Sequence, residues 1–511
     1  MLDDVRKSVV EPGKHRLREV KNTLKEGFFV KKFKKALALS LTLAMGLSMV
    51  ACGDKKDSTT AASGDTTAKT EAGTQAPATE TKTEAGSTAA ATEAPTEAPA
   101  ATGIAKPDVS GWDDSKKIYA YSWDDDFQKK LNVVLEANPE LQPYVEYVNL
   151  GVASEESLEL IDAAFKSDKY PSLIPADIGS AKYWTEDDSK TLDLKSIGFT
   201  DDMFANTYQY AKDFANYNGE IKAVTWQSTA GSVFYNRAIA KEVFGTDEPA
   251  DIQAKFADWD KFFESAGELD KAGYDVISST ADTFRVYQNN AKLPWVNGTQ
   301  IQVDDNLKKW VEDSKKLADA GYCNTWGQWG EDWNKGFYPE GKVFAYFGPA
   351  WLIDFCMAAD VEGSVAHDGG WAATEGPQGF YWGGTWICAA TGTDNANLVA
   401  DIMRKMTMDP AVMKDIVLKD NDFVNNRPVM EELANDPSYQ NAVLGGQNPL
   451  KMFCAGADNI DMANLTAYDQ GLLGDFQTAM GDYINGNYAT YDEALEQFYT
   501  LALQRYPELT R

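Results

Sequence analysis

Histidine is almost missing from this chain: His15 and His367 are the only two in 511 residues. A Ser-His-Asp triad, a His-rich zinc site or an imidazole proton relay would each have to run through His367 alone, because His15 lies in a segment expected to be removed. Cysteine is scarce as well. Cys52, Cys323, Cys356, Cys388 and Cys454 include no CxxC pair, so neither a zinc ribbon nor a thioredoxin-like redox motif is encoded. Four of the five can pair as disulfides or stay as thiols, and the small apolar residues beside most of them favour buried thiols. Basic charge runs out after the N-terminus. Residues 1–51 hold 11 Lys/Arg against 5 Asp/Glu, the remainder 37 against 73, within a formal net charge of −30. So acidic a surface repels phosphate backbones, which removes nucleic acid as a partner. No metal or cofactor is expected from these residues.

Long apolar runs are also missing, with one exception. Ala36–Val50 is uncharged and apolar, follows Lys31, Lys32, Lys34 and Lys35, and leads through small residues to Cys52. It is shorter than the ~20 residues a membrane-spanning helix needs and suits a signal-peptide core. The stretch resembles a bacterial lipoprotein signal, with Met49 in place of the usual leucine three positions before the cysteine. That resemblance implies that Cys52 is lipidated and becomes the first residue of the mature chain, anchored on the extracellular face of the cell membrane. A plain signal peptide cleaved nearby is the alternative. Residues 1–29 have no place in this scheme, and translation is expected to start at Val30, behind codons for Lys25-Glu26-Gly27 that can hold a ribosome-binding tract. From Asp54 to about Pro107 the chain is Thr, Ala, Ser, Glu and Pro. Such a segment cannot bury enough surface to offset its conformational entropy and is expected to be a disordered tether.

All 14 tryptophans lie at or after Trp112, so the globular body starts there. Strand patterns at Ile118–Tyr121, Val145–Val148 and Leu173–Ala176 alternate with helical stripes at Phe127, Leu131, Val134, Leu135 and at Leu158, Ile161, Phe165. That order predicts an open α/β sheet with ligands at the carboxyl ends of its strands, where Trp123-Asp124, Asn149 and Asp177 stand. Further strands are predicted at Ser232–Tyr235 and Val343–Phe347, and helices at Asp251–Ala266 and Asn306–Ala320. A terminal amphipathic helix starts at the capping-box pair Thr490 and Glu493.

Tryptophan beside polar residues at strand ends and glycine turns is what a carbohydrate site requires. Flat rings take the apolar faces of sugars, while carboxylates and amides take their hydroxyls. Such combinations occur at Trp123-Asp124, Trp226-Gln227, Gly348-Pro349-Ala350-Trp351 and Trp382-Gly383-Gly384-Thr385-Trp386. Core packing is an equal reading for Trp123, Trp226 and Trp351. Trp386, inside an apolar strand, reads as core. Trp382, flanked by glycine, reads as site. Trp326, Trp329 and Trp333 read as a packing stripe, one of which can reach a cleft. Asp177 serves equally well as a helix cap. In the run Asp124-Asp125-Asp126, only Asp124 is a site candidate, the others being solvated surface.

These pieces occur in an order, with Ala223–Arg237, Gly341–Trp351, Gly376–Thr385 and Asp492–Leu495, that resembles the family 1 extracellular solute-binding proteins of carbohydrate ABC importers, the group containing maltose-binding protein. The resemblance covers about Trp112 to the C-terminus. It implies a two-lobe, type II periplasmic-binding-protein-like α/β fold with crossovers near Gln227–Gly231, Thr374–Gln378 and Met408–Pro410. The implied lobes are 111–228 plus 376–409 and 229–375 plus 410–511, after a signal region over 1–51 and a lipidated cysteine with linker over 52–110. It further implies a ligand site from Trp123, Asp124, Asp177, Trp226, Gln227, Trp351, Trp382 and Arg427, the last with Asn425 and Asn426. Gln227 stands where the family often has a carboxylate. The expected partners are a sugar or oligosaccharide and the permease subunits of an ABC importer, with the protein itself a monomer and not an enzyme. A secreted glycoside hydrolase, a surface adhesin and a binding protein for another solute are the alternatives; the hydrolase would need two carboxylates ~5–10 Å apart, one with a raised pKa.

Overall fold

A computed structural model of the protein describes residues 115–511 and, before them, 104, 105, 109, 110, 112 and 113. The signal region 1–51, Cys52 and most of the linker 52–110 lie outside the described residues. Among these, no helix is long and apolar enough to cross a membrane.

The first half of the fold follows from alternating short apolar runs and amphipathic helices. Strands β1 (Ile118–Ser122), β2 (Val145–Asn149), β3 (Pro171–Asp177) and β4 (Ala223–Thr225) join a strand from far along the chain in the order β2-β1-β3-β9-β4, where β9 is Thr385–Ala389. β1 runs parallel to β2 and β3, whereas β9 runs antiparallel to both β3 and β4. The first six residues of β3 are buried, as befits a strand covered on both faces. Helix α1 (Asp126–Ala137) follows β1 and buries Phe127, Leu131, Val133 and Val134. Helix α2 (Ile178–Thr185) follows β3 and is capped by the Asp177 carboxylate, which accepts from Gly179 N at 2.9 Å.

A second sheet is built from β5 (Ser232–Asn236), β6 (Asp275–Ile277), β7 (Val343–Gly348) and β8 (Trp371–Thr374), in the order β8-β5-β7-β6. One of its faces packs on helices that include Trp259–Lys271, Asp305–Ala320 and the C-terminal pair Asp469–Ile484 and Tyr491–Arg505. The capping box at Thr490 and Glu493 is formed. The single helix predicted over Asp251–Ala266 is instead two, Pro249–Lys255 and Trp259–Lys271, because Asp258 leaves helical geometry to cap the second through Lys261 N. Cys323, Cys356, Cys388 and Cys454 are free thiols.

Two crossovers link the sheets, 226–231 between β4 and β5 and 375–384 between β8 and β9. They hydrogen-bond to each other: Gly231 N donates to Phe380 O at 2.7 Å, Trp382 N to Thr229 O at 3.1 Å, and Thr229 Oγ1 to Gly383 O at 3.0 Å. The third passage differs from the expectation of Met408–Pro410. Helix α4 (Pro410–Asp420) still packs on α1, with Lys130 Nζ 2.9 Å from Asp420 Oδ2. The segment Asp422–Asn425 then joins the hinge, through Ser228 N to Phe423 O at 2.8 Å and Asn425 N to Trp226 O at 2.7 Å. By Val443 the chain lies along β8. The break after Met408 is a helix boundary, capped by Asp409 ahead of Pro410, and not a passage between sheets.

Gly231 sits where the crossovers touch, and a Cβ there would overlap the Phe380 ring. Gly231→Ala should therefore lower unfolding stability by about 1–3 kcal/mol, read as a shift of the urea midpoint.

Candidate functional site

One wall of the cleft starts at the carboxyl end of β1. There the chain turns into α1 and leaves Trp123 and Asp124 at its mouth. Asp124 Oδ1 accepts from Asp126 N at 3.1 Å, and the Tyr147 hydroxyl donates to the Asp124 carbonyl. Burial, reinforced by the neighbouring Asp126 charge, pushes the Asp124 carboxyl up to about 6. One turn on, α1 presents Lys130, a buried lysine. Its ammonium lies 3.2 Å from Asp126, 2.9 Å from Asp420 and 3.9 Å from Asp422, so the cost of removing it from water is offset by three carboxylates. Asp422 is itself buried, which raises it to about 6 despite Lys130. Its Oδ2 accepts from Gln227 Nε2 at 2.8 Å and Trp226 Nε1 at 3.3 Å, and Gln227 Oε1 accepts from Thr385 N at 3.0 Å. The Gln227 amide thus ties its crossover to the start of β9 at one end and to Asp422 at the other.

The opposite wall is aromatic. β7 ends at Gly348, and Pro349-Ala350 lead into the short helix α3 (Trp351–Phe355). The Trp351 indole N–H donates to the Trp382 carbonyl at 3.0 Å, and the two rings meet edge to face with centroids 5.2 Å apart. Gly383 and Gly384 follow with φ of +70° and +109°, a region residues with a Cβ avoid. Trp329 comes from a separate loop, 5.5 Å from Trp382 and nearly parallel to Trp351 at 6.2 Å.

Between the walls lies a cavity of about 880 Å³. Of the residues expected from sequence, Trp123, Asp124, Asp177, Gln227, Trp351 and Trp382 line it. Trp226 does not. It is 0% exposed and stacks on Phe127 at 5.8 Å, so its ring belongs to the core. Arg427 also lies elsewhere. It opens a helix, pairs with Asp458 and covers the Tyr208 ring, beside a separate depression of about 650 Å³ that includes Lys182 and Phe214. Asn425 is likewise spent inside the fold, accepting from Tyr208 N at 3.0 Å. Residues not anticipated from sequence include Asp126, Lys130, Asp420 and Asp422 on one wall and Trp329, Phe355 and Gln470 on the other. The Lys130 cluster has no local signature, because Asp420 and Asp422 stand about 290 residues from Lys130 in the chain. Trp329 carries a weak signal, as one of three tryptophans in a packing stripe of which one can reach a cleft. At the rim the walls meet: Lys129 Nζ lies 3.3 Å from Asp354 Oδ2, joining α1 to α3.

Comparison with known proteins follows the same lines. The sequence profile of the bacterial extracellular solute-binding proteins matches residues 136–444. No curated protein sequence matches. Among solved structures, one described as an extracellular solute-binding protein family 1 is 15% identical, with a TM-score of 0.63 over 76% of this chain and 99% of that one. The galacto-N-biose-/lacto-N-biose I-binding protein of an ABC transporter from Bifidobacterium longum, in complex with lacto-N-biose, is 13% identical, with a TM-score of 0.62 over 78% and 98%. An ABC transporter associated binding protein from B. animalis subsp. lactis Bl-04, in complex with beta-1,6-galactobiose, is 18% identical, with a TM-score of 0.60 over 77% and 98%. At these identities the likeness is one of fold, the two-lobe type II architecture.

The raised Asp124 carboxyl has a signed consequence for stability. As pH rises, the unfolded chain gives up this proton near 3.8 and the folded protein only near 6. Stability present below the lower value is therefore lost across that window. Asp124→Asn keeps the Oδ1 acceptor for Asp126 N and should match the parent protein near pH 4. It should then become progressively more stable than the parent up to about pH 6, with a constant difference beyond, as urea unfolding at pH 4, 6 and 8 will read.

Proposed function

This chain belongs to the bacterial extracellular solute-binding proteins, and from that premise we propose that it captures a carbohydrate in the cleft and hands it to the permease of an ABC importer. The observation that carries this reading is the pairing of surfaces. Trp351 and Trp382 present indole on one side, and Trp123, Asp124 and Asp177 present indole and carboxylate on the other. Sugars have apolar faces and hydroxyl edges, so stacking and hydrogen bonding are satisfied together only by such a mixed cavity. The disaccharides named for structural relatives, lacto-N-biose and beta-1,6-galactobiose, are of the same class.

Capture needs no bond making. Ligand held on one wall gains contacts with the other only when the lobes close, so it shifts the population toward the closed form, which the permease then recognises. The Lys129–Asp354 pair spans the two walls at the rim and would help to hold them together on closure. Cys52 would tether the protein by lipid to the outer face of the membrane, with the Thr/Ala/Glu/Pro segment as spacer. The two implied lobes are read here as the two sheets with their helices, α4 lying with the first.

The high Asp124 carboxyl beside several others is also what a glycoside hydrolase would use, so binding and turnover should be measured on the same sugars. A panel of mono- and oligosaccharides should raise the unfolding midpoint without releasing reducing ends. Ligand at ~100 times its dissociation constant adds ~2.7 kcal/mol. Release of reducing ends would reassign the protein as a hydrolase, and a panel with no shift would overturn the carbohydrate reading. Trp351→Ala should weaken binding by about 2 kcal/mol, roughly 30-fold. Cys52→Ala should move the protein from the membrane fraction to the culture medium, and retention on the membrane would sink the lipid-anchor assignment.

A further inference from the structure

Trp329 combines two costs that a protein rarely bears together. Its backbone is in the left-handed region, with φ of +70°, which costs a bulky residue on the order of 1–2 kcal/mol. The residue is 47% exposed, so burial rewards that conformation only in part. The neighbouring residues show that the loop is nevertheless held firmly. Gly330 N donates to Gly327 O at 3.0 Å, closing a tight turn around Gln328-Trp329. Below the turn, the buried Asp282 accepts from Gln328 Nε2 at 3.0 Å, Trp333 Nε1 at 2.8 Å and Ser279 N at 3.0 Å. Trp333 is fully buried against Phe337 and Tyr346 and meets the Trp329 ring at 5.3 Å. A carboxylate and an indole taken out of water therefore fix the residues on either side of an exposed tryptophan.

The ring so placed lies on the cavity wall, beside Trp351 and Trp382, and continues outward to Phe355, which is 54% exposed and 6.4 Å from it. Exposure rises steadily along this row, from Trp382 at 7% to Phe355 at the mouth. A single sugar ring on the inner pair would leave the outer pair bare to water. The volume of about 880 Å³ is near the top of the ~300–1,000 Å³ range of small-molecule sites. Building on the carbohydrate reading, we propose that Trp329 and Phe355 form an outer platform, and that the ligand is a linear oligosaccharide whose inner unit rests on Trp351 and Trp382 and whose outer units run over Trp329 and Phe355.

Titration calorimetry with a ladder of linear oligosaccharides of one to six units tests this on the full chain. The parent protein should bind more tightly with each unit until the outer platform is covered. W329A/F355A should leave the shortest ligands within about two-fold and weaken the longest by ten-fold or more, so that the ladder becomes flat. Trp329→Phe, which keeps a flat ring, should restore most of the gain, and both exposed changes should leave the unfolding midpoint in place. An unchanged ladder in W329A/F355A, or an equal loss at every length, would overturn the outer platform while leaving the carbohydrate reading intact. Absence of binding at any length in the parent protein would overturn both.

Discussion

The hydrogen bonding of one crossover to the other is the constraint on which the molecule turns. Segments 226–231 and 375–384 are each only a short connection between sheets, and either alone would be a loose link. Paired through Gly231 to Phe380, Trp382 to Thr229 and Thr229 to Gly383, they form a two-stranded strap, with Asp422–Asn425 bonded on as a third member. The strap fixes where the two sheets stand relative to the cleft and leaves backbone torsion at a few residues as the soft direction. It also lines the cleft, because Gln227, Trp382, Gly383 and Gly384 belong to it.

The two walls solve different physical problems. The first is polar and must keep several carboxylates close together; Lys130, enclosed by Asp126, Asp420 and Asp422, makes that arrangement affordable and ties α1 to α4. The second is aromatic and must keep broad rings from collapsing onto one another. It does so by edge-to-face contact and by an indole N–H spent on the Trp382 carbonyl. A solute that fits both must itself be two-faced, which is the physical content of the carbohydrate proposal.

Much of the fold could be read from the sequence, because its information is local there. The β1–β3 strands and their helices announce themselves by period and by the residues at their ends, and Thr490 with Glu493 marks the last helix unaided. The site was legible only where a local cue existed. Trp382 has its glycines, Trp351 its Gly-Pro turn, and Asp177 its strand end, where it both caps α2 and lines the cavity. Trp226 has a polar neighbour in Gln227 but no flanking glycine, and its ring turns inward to Phe127, a partner 99 residues earlier that no local pattern discloses. Arg427 came from a family position, and the helix it opens directs it to Asp458 instead. Nothing local marks Lys130 as buried, because two of its three acidic partners, Asp420 and Asp422, lie far along the chain. The crossover near Met408–Pro410 likewise came from the family resemblance alone, and in the structure Asp409 caps a helix there.

Gly383 and Gly384 confine how this cleft can diverge. Their φ angles of +70° and +109° strain any residue with a side chain at the inner end of the groove, even though a Cβ there would meet Trp351 and Thr229 only at ordinary contact distance. A lineage adapting to a new nutrient could not redecorate that end one substitution at a time. Novelty would have to enter through loops with no such restriction, near the mouth, so that descendants of this protein would share an inner subsite and differ in what hangs over its edge.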